Sequence, residues 1–486
     1  MAEPYCNGNI DDFINYNIIV RMNTAKFNFK YILSIAFVSA MGGLLFGYDW
    51  VVIGGAKPFY ELYFDIAHEP ALQGWAMSSA LIGCVFGAVL SGFVADRLGR
   101  KKSLMLAALL FVVSAFGTGY ANAFAPFIWY RLIGGLGIGL ASTLSPMYIA
   151  EIAPAKFRGR FVAINQLTIV VGILAAQIIN WLIAEPIADS LNASQILASW
   201  NGQTGWRIMF WAELVPAGLF FVFMFLVPES PRFLVKINKV DRAGFILNRI
   251  GGAAYAKNEM LNIQQSFQNV AEKHISITEL RSSKVLPILV IGIVLAVFQQ
   301  WCGINVIFNY AQEIFTAAGY SVGDMLFNIV ITGSVNLIFT FVAMRTVDSW
   351  GRRKLMLFGA LGLAVVYAVL GAAYYFEFKG WPVLVLVITS IAIYSMSLAP
   401  ITWVVLSEIF PNRLRGAAMA IATFSLWVAS FILTFSFPIL NELLGAYGTF
   451  WVYSIICVLG FLFIKQRLPE TKGKSLEDIE IELTEK

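Results

Sequence analysis

The sequence predicts an all-α membrane protein whose twelve transmembrane helices form two six-helix pseudo-repeats. Of the 486 residues, 59% are hydrophobic and only 13% are charged, whereas about 25% of the residues of a soluble domain are charged. Twelve mostly apolar segments approach or exceed the roughly 20 residues that a helix needs to cross a bilayer. Motifs of the first half recur in the second half in the same order. Together these observations place most of the chain in lipid.

The apolar segments give the predicted helices in order. They cover residues 31–56, 75–95, 104–122, 126–150, 161–184, 206–227, 286–314, 326–346, 355–377, 382–409, 417–440 and 446–467. Basic residues cluster in alternate connections, within 97–102, 156–160, 345–354 and 413–415, whereas the opposite connections hold only Lys57 and Lys379, with Arg207 at an edge. Since basic residues are enriched in cytoplasmic loops, both termini are predicted to be cytoplasmic.

The long polar connection between the sixth and seventh segments divides the chain. It contains KVDRAGFILNRIGG, which has helical spacing and ends at a Gly pair, a helix-stop signal. The predicted organisation is a cytoplasmic N-terminal extension (1–30), a first six-helix half (31–227), a cytoplasmic linker with short helices (228–285), a second six-helix half (286–467) and a cytoplasmic tail (468–486).

An internal repeat supports the two halves independently. GFVADRLGRKK around Asp96 recurs as MRTVDSWGRRK around Asp348, 252 residues later. EIAPAKFRG from Glu151 recurs as EIFPNRLRG from Glu408, 257 residues later. PESPR after the sixth predicted helix is weakly echoed by PETKG after the twelfth. Parallel six-helix repeats place a substrate site near the midplane between the halves, with alternating access by rocking.

Two apolar segments each contain a single charged residue, Asp49 in the first and Arg131 in the fourth. A charge at membrane depth costs roughly 2.5–3.5 kcal/mol on insertion scales, so each should have a partner or a function. Asp49 lies roughly 10 Å before the end of an outward helix, and Arg131 roughly 8 Å after the start of an inward helix, at 1.5 Å per residue. The two side chains therefore share a depth in the outer half.

Composition also excludes some classes of function. The four cysteines, Cys6, Cys84, Cys302 and Cys457, have no metal-ligand spacing. With two histidines and no nucleophile–base set in the predicted helices, neither an enzyme nor a metal site is expected. We expect no cofactor and no nucleic-acid partner, and a monomer embedded in the lipid bilayer.

Seven motifs carry a family resemblance between residues 30 and 471: GFVADRLGRKK, YRLIGGLGIG, SPMYIAEIAPAKFRGR, PESPR, QQWCGIN, VDSWGRR and LSEIFPNRLRG. They resemble those of the sugar porter branch of the major facilitator superfamily, which includes bacterial proton-coupled xylose transporters and animal facilitative glucose carriers. The resemblance implies a multi-pass protein of the cell membrane, expected in a bacterial inner membrane. It implies import of a monosaccharide, a pentose such as xylose or a hexose, by proton symport through alternating access.

The resemblance also assigns the proton-coupling role to Asp49, with Arg131 as its partner. An arginine near a carboxylate lowers the pKa of that carboxylate and separation in a dry interior raises it, so movement between states can drive proton uptake and release. Glu213, six residues after Arg207 in the sixth predicted helix, is expected to belong to this network or to the cytoplasmic latch. The alternative is a structural ion pair that never titrates.

Charged residues at cytoplasmic helix ends form matched sets in the two halves. The resemblance implies that they make an inter-helix latch that holds the inner side shut while the outer side is open. The predicted latch residues are Asp96, Arg100, Glu151, Arg158, Glu229, Arg232, Asp348, Arg352, Glu408, Arg415 and Glu470. Charges that only set the membrane topology would explain the arginines, but they would not explain carboxylates at matched spacing in the two halves.

A sugar site needs amide side chains, which both donate and accept hydrogen bonds, and aromatic faces. The seventh predicted helix is unusually polar, and Gly303 is expected to loosen it enough to bring its glutamines and asparagines together. The predicted sugar ligands are Gln166, Gln299, Gln300, Asn305, Asn309, Asn336, Trp403 and Trp427. The alternative for one or two of these amides is hydrogen bonding between helices.

Several positions depart from the family pattern, which argues against importing xylose specificity unchanged. The departures are Asn309–Tyr310 for an aromatic pair, Gln312 for proline, SLAPITW without the usual glycine, and Leu426 and Ile173 for glutamines of the xylose transporters. A pentose, a hexose and a cyclic polyol remain open. So do a facilitative uniporter, in which Asp49 is structural, and a transporter-like sugar sensor, although the tail after Leu468 is short for signalling.

Overall fold

The structure is a computed structural model that describes residues 27–187, 192–271, 285–410 and 414–472, with the backbone alone at 267–271 and 348. The membrane-spanning helices are numbered here in chain order. They are α1 (Phe29–Tyr63), α2 (Pro70–Leu98), α3 (Arg100–Tyr120), α4 (Phe124–Ile152), α5 (Arg158–Ile183), α6 (Asn201–Leu226), α7 (Leu286–Trp301), α8 (Val322–Trp350), α9 (Arg352–Tyr375), α10 (Trp381–Met396, continued by Leu398–Ile409) and a 53-residue helix, Arg415–Arg467.

The last helix contains two spans. Gly445 has φ 66 and ψ 174, so the chain turns there; we call the part before it α11 and the part after it α12. In the described part of the chain, eleven helical segments, some of them interrupted, are long and apolar enough to cross a membrane. Division at Gly445 gives the twelve spans that the sequence predicts, and the all-α fold class is confirmed.

Shorter helices connect or continue these spans. They are Ala155–Phe157, Ala193–Ala198, Pro231–Lys236, Val240–Ala271, Ile304–Asn309 and Ala311–Ala317. Val240–Ala271 bends at Gly252, which has φ 82, and this is the predicted helix stop. Most of the predicted N-terminal extension, linker residues 272–284 and most of the predicted tail lie outside the described residues.

The first helix is longer than predicted and corrects the sequence analysis at Lys57. The predicted helix ended at residue 56 and left Lys57 in a connection, but α1 continues through Pro58 to Tyr63. Lys57 lies inside it with 1% of its surface exposed. Its burial is possible because Glu61, one turn further on, and Glu313 both contact its ammonium group.

The two six-helix halves contact each other mainly through three sets of helices: α1 with Ile304–Asn309 and Ala311–Ala317, α2 with α11, and α5 with α8. Trp75 packs on Phe431 with ring centroids 6.4 Å apart, and Trp181 packs on Phe327 at 5.6 Å. These aromatic pairs lie at the same end of the bundle as Lys57, which we call the Lys57 end.

The opposite end, which carries Arg100 and Arg352, is called the basic end. Gly159 and Gly416 occupy equivalent positions of the two repeats at this end. A Cβ atom added at either glycine would meet nothing within 4 Å. The aromatic contacts between the halves described above thus lie at the Lys57 end, whereas the space beside Gly159 and Gly416 at the basic end is free.

Candidate substrate and proton site

Asp49 and Arg131 form an ion pair in the interior of the first half. Arg131 Nη1 donates to Asp49 Oδ1, and Arg131 Nη2 lies 3.5 Å from the Asp49 carbonyl oxygen. The two residues are 1% and 2% exposed. Asp49 Oδ2 and Arg131 Nε have no hydrogen-bond partner in the described residues, so the carboxylate keeps a free acceptor.

Glu213 is buried near this pair, at the junction of two helical segments of α6. It is 1% exposed, its Oε1 has no hydrogen-bond partner in the described chain, and it interacts electrostatically with Asp49 and Arg131. The arginine therefore has a second carboxylate within electrostatic range.

The seventh span is broken, which joins amides that are on different faces of a regular helix. The αL conformation of Gly303, with φ 87, ends α7 and starts Ile304–Asn309. Gln300 Nε2 donates to Gln299 Oε1 at 2.9 Å, and Asn305 Nδ2 donates to Gln300 Oε1 at 2.5 Å. The break thus forms a continuous chain of three amides.

Aromatic rings and further amides lie in the same interior region between the halves. The ring centroid of Trp427 on α11 lies 5.9 Å from that of Phe46 and 6.1 Å from that of Trp50, both on α1. Its indole N–H has no partner in the described residues. Asn309 lines a narrow cavity together with Trp50 and Arg131, so the arginine of the ion pair and an amide of the seventh span border the same cavity.

Three predicted ligands stand apart from this chain of amides. Asn336 on α8 is buried and accepts from Ser395 Oγ at 2.7 Å. Gln166 on α5 is half-buried, and Trp403 on the second segment of α10 is 37% exposed.

Gln177 was missed by the sequence analysis. It lies on α5, is 1% exposed, and both atoms of its amide lack a partner in the described residues. It lies eleven residues after Gln166, so the two share a face of α5. Gln177 also contacts Gly333 of α8, in the other half. The signal in the sequence was its helical spacing from Gln166: a search for amides along this face of α5, continued beyond Ile173, finds Gln177.

The predicted latch residues of the first half form a network at the basic end. Arg100 donates to Glu151 Oε1 through Nε at 3.1 Å and Nη2 at 2.8 Å, and Ser230 Oγ donates to Glu151 Oε2. Glu229 Oε1 accepts the backbone N–H groups of Arg100 and Lys101 at 2.9 and 3.2 Å. Burial raises the pKa of the Glu229 carboxyl, and these N–H donors oppose the rise.

The second half repeats this network. Arg352 Nε donates to Glu408 Oε1 at 3.3 Å, and Thr471 Oγ1 donates to Glu408 Oε2 at 2.6 Å. Glu470 Oε1 accepts the backbone N–H of Arg352 at 2.9 Å. In both halves these bonds join elements of the same half.

The remaining predicted latch residues have other surroundings. Arg158 donates to the Ala150 carbonyl at 3.0 Å, and its repeat counterpart Arg415 approaches the Phe410 carbonyl at 3.4 Å. Asp96 pairs with Lys236 at 2.9 Å, with both side chains substantially exposed. Arg232 is exposed in the short helix Pro231–Lys236, and the side chain of Asp348 lies outside the described residues.

No group of three or more His, Cys, Asp and Glu residues that could hold a metal ion occurs in the part of the chain that the structure describes. Around the broken seventh span and the Asp49–Arg131 pair, the described polar side chains are amides, hydroxyls and the Asp49–Arg131–Glu213 group. Such a set suits a neutral hydroxylated ligand and a proton.

Comparison with known proteins identifies the family. The family described as "Sugar (and other) transporter" matches residues 35–483. The D-xylose-proton symporter of Escherichia coli (strain K12) is 39% identical over 94% of this chain and 97% of its own. The arabinose-proton symporter of Bacillus subtilis (strain 168) is 39% identical over 94% of this chain and 96% of its own.

A solved structure of the xylose transporter of E. coli, in an inward-open conformation, superposes with a TM-score of 0.80. It is 37% identical, and the match covers 93% of this chain and 99% of that one. The expected multi-pass membrane transporter, rather than an enzyme, is therefore confirmed. The chain belongs to the sugar transporter family and has the major facilitator fold.

Proposed function

We propose that this protein imports a monosaccharide together with a proton by alternating access between its two halves. The observation that supports this most directly is the buried Asp49–Arg131 pair with an unpartnered carboxylate oxygen. Relatives at 39% identity are named as xylose-proton and arabinose-proton symporters, which favours a pentose as the first substrate to test.

In this proposal Asp49 binds the proton through its carboxylate. Protonation removes the negative charge that holds Arg131, and Glu213 then becomes the remaining counter-ion within electrostatic range of the arginine. A shift of Arg131 from Asp49 towards Glu213 would couple proton binding on α1 to the packing of α4 and α6. Movement of these helices relative to the second half would change access to the sugar.

The sugar is proposed to bind between the halves against the helix 7 amides. Gln299, Gln300 and Asn305 supply donors and acceptors, and Trp427 supplies an apolar ring face with a free N–H. Gln166, Asn309, Asn336 and Trp403 are proposed as further ligands. The basic end is proposed to face the cytoplasm, so that the structure corresponds to an inward-open state.

The test is uptake in proteoliposomes of labelled D-xylose, L-arabinose and D-glucose, with and without an imposed inward proton gradient. Accumulation against the sugar gradient that a protonophore abolishes is the expected result. The Asp49→Asn variant should then lose accumulation but keep sugar exchange between the two faces. Uptake that only equilibrates and ignores the protonophore would instead indicate a uniporter, and binding without any uptake would indicate a sensor.

A further inference from the structure

The Lys57 end contains a buried cluster of charges that the proposed transport cycle does not use. Lys57 Nζ lies 2.7 Å from Glu61 Oε1, one turn away on α1, and also contacts Glu313 Oε1. The side chains of Lys57 and Glu61 are 1% and 5% exposed, and that of Glu313 is 22% exposed. Because α1 belongs to the first half and Glu313 to the second, the cluster bridges the two halves.

The charges of this cluster do not balance. It holds one ammonium group and two carboxylates, and Glu313 Oε2 has no hydrogen-bond partner in the described residues. The other ionisable groups near it are Tyr60, Tyr310, Tyr453 and Arg131. The tyrosines are neutral phenols in the physiological range, and Arg131 is already paired with Asp49. With both carboxylates ionised, a net negative charge would be buried in an apolar interface, which is unfavourable.

We propose that Glu61 and Glu313 form a second proton-binding site, which takes up one proton when the Lys57 end closes and releases it when that end opens. Separation of the halves removes Glu313 from Lys57 and gives both carboxylates to water, where glutamate is ionised above about pH 4.3. The shared proton cancels the excess charge only in the closed arrangement.

This proton differs in its path from the one assigned to Asp49. The cluster lies at the end of the bundle that is predicted to be extracellular, and it contacts the same solution when it opens and when it closes. Its proton therefore does not cross the membrane with the sugar. External acid should favour closure of the Lys57 end, and the ratio of protons to sugars transported should not change when the cluster is neutralised.

The experiment measures the distance across the Lys57 end by double electron–electron resonance. Spin labels are placed at Ala123→Cys and Phe378→Cys, two exposed positions in the first and second halves, after the four native cysteines are replaced by serine. All proteins carry Asp49→Asn, so that a failure of the proton coupling assigned to Asp49 cannot affect the result; Glu213 remains as the carboxylate within electrostatic range of Arg131. They also carry His68→Gln, which removes an exposed imidazole at the same end.

The closed-to-open population ratio should rise as the pH falls from 8 to 6, by up to about tenfold per pH unit for one proton. Glu61→Gln and Glu313→Gln each make the cluster neutral, so the ratio should become independent of pH. Lys57→Met leaves two carboxylates alone, so it should favour the open end at pH 8 and steepen the dependence. The control is Glu69→Gln, which removes an exposed carboxylate at the same end and should behave as the parent.

The proposal is overturned if Glu61→Gln and Glu313→Gln both keep the pH dependence of the parent, or if the parent shows none. A second measurement, the ratio of protons to sugars transported, tests whether the cluster carries a proton across the membrane. In proteoliposomes of the wild-type background, Glu61→Gln should keep the proton-to-sugar ratio of the unmodified protein. A reduced ratio would show that the cluster carries a transported proton and would contradict the gating role.

Discussion

At the residue scale, the ion pair of Asp49 depends on the glycine at position 134. Gly134 lies on α4, less than one turn after Arg131, and faces α1 and α3. A Cβ atom at this position would lie 3.0 Å from Asp49 Oδ2 and would also press on the Ser114 hydroxyl. The space beside Asp49 Oδ2 therefore accommodates the hydrogen atom of a glycine but not the methyl group of an alanine.

We predict that Gly134→Ala destabilises the protein by about 1–3 kcal/mol, the usual cost of overpacking, and slows proton-coupled uptake. The matched control is Gly218→Ala on α6, where a Cβ meets nothing within 4 Å. Because alanine is the better helix former by about 0.8–1.0 kcal/mol, the control should be neutral or stabilising. Thermal unfolding in detergent measures both variants, and equal unfolding temperatures would contradict the packing argument.

Gln177 gives a second prediction at this scale. A buried amide with no partner costs about 1–3 kcal/mol per unsatisfied group, and leucine has a similar volume. Gln177→Leu should therefore raise the unfolding temperature of the sugar-free protein. Asn180→Leu, one turn away on the same face, should lower it, because Asn180 Nδ2 donates to the Val52 carbonyl at 3.0 Å.

The result for Gln177 also bears on specificity. If its amide serves the sugar when the halves separate, Gln177→Leu should weaken binding while it stabilises the protein. A variant that is less stable than the parent would show that the glutamine has a structural partner after all.

At the scale of the element, the break in the seventh span controls which amides meet. Gly303 has a left-handed conformation that costs other residues roughly 1–2 kcal/mol. A Cβ atom added at this position would also lie only 2.8 Å from the ring of Tyr453. We predict that Gly303→Ala disrupts the contact between Gln300 and Asn305 and weakens sugar binding more than it lowers stability.

Isothermal titration with D-xylose and thermal unfolding test the two parts of this prediction. The control is Gly323→Ala at the start of α8, where the only neighbour of a Cβ is Ser321 Oγ at 4.0 Å. Unchanged binding by Gly303→Ala would mean that the amides meet without the break.

The elements also show what the sequence could and could not predict. Asp49 and Arg131 were expected at one depth, and they meet because both lie on regular helices whose rise per residue is fixed. Lys57 was misplaced because a lone charge normally ends an apolar segment, and its partner Glu313 lies 256 residues away in the sequence. The roles assigned to the sugar ligands remain predictions.

At the scale of the whole molecule, the matched networks at the basic end relate the two halves. The pairs Arg100–Glu151 and Arg352–Glu408 use the same atoms, with Nη2–Oε1 distances of 2.8 and 3.2 Å, and both hold elements within one half. Each half is thereby braced at its basic end, which suits movement as a unit. The inter-helix latch that the sequence analysis predicts stays a prediction, because holding the inner side shut would also need contacts between the halves in a state other than this one.

The exposure of Gly159 and Gly416 at the basic end gives a prediction about topology. Gly159→Cys and Gly416→Cys should react with a membrane-impermeant maleimide in inside-out vesicles, because both positions are exposed at the end predicted to be cytoplasmic. Glu69→Cys, exposed at the Lys57 end, should react only in right-side-out vesicles. The reverse pattern would invert the predicted orientation of both termini.

The carboxylates of Glu229 and Glu470 have a consequence for how the chain can be cut and rejoined. Glu229 accepts the backbone N–H groups of Arg100 and Lys101 at the start of α3, and Glu470 accepts that of Arg352 at the start of α9. Each glutamate follows the sixth helix of its half, so it closes the half as a helix cap. The duplicated module is therefore six helices plus this acidic residue and the hydroxyl after it, Ser230 or Thr471. Split proteins, circular permutants and fusions should therefore be joined after these residues. A junction at the membrane edge would remove the carboxylate that accepts the first N–H of a helix some 120 residues earlier in the chain.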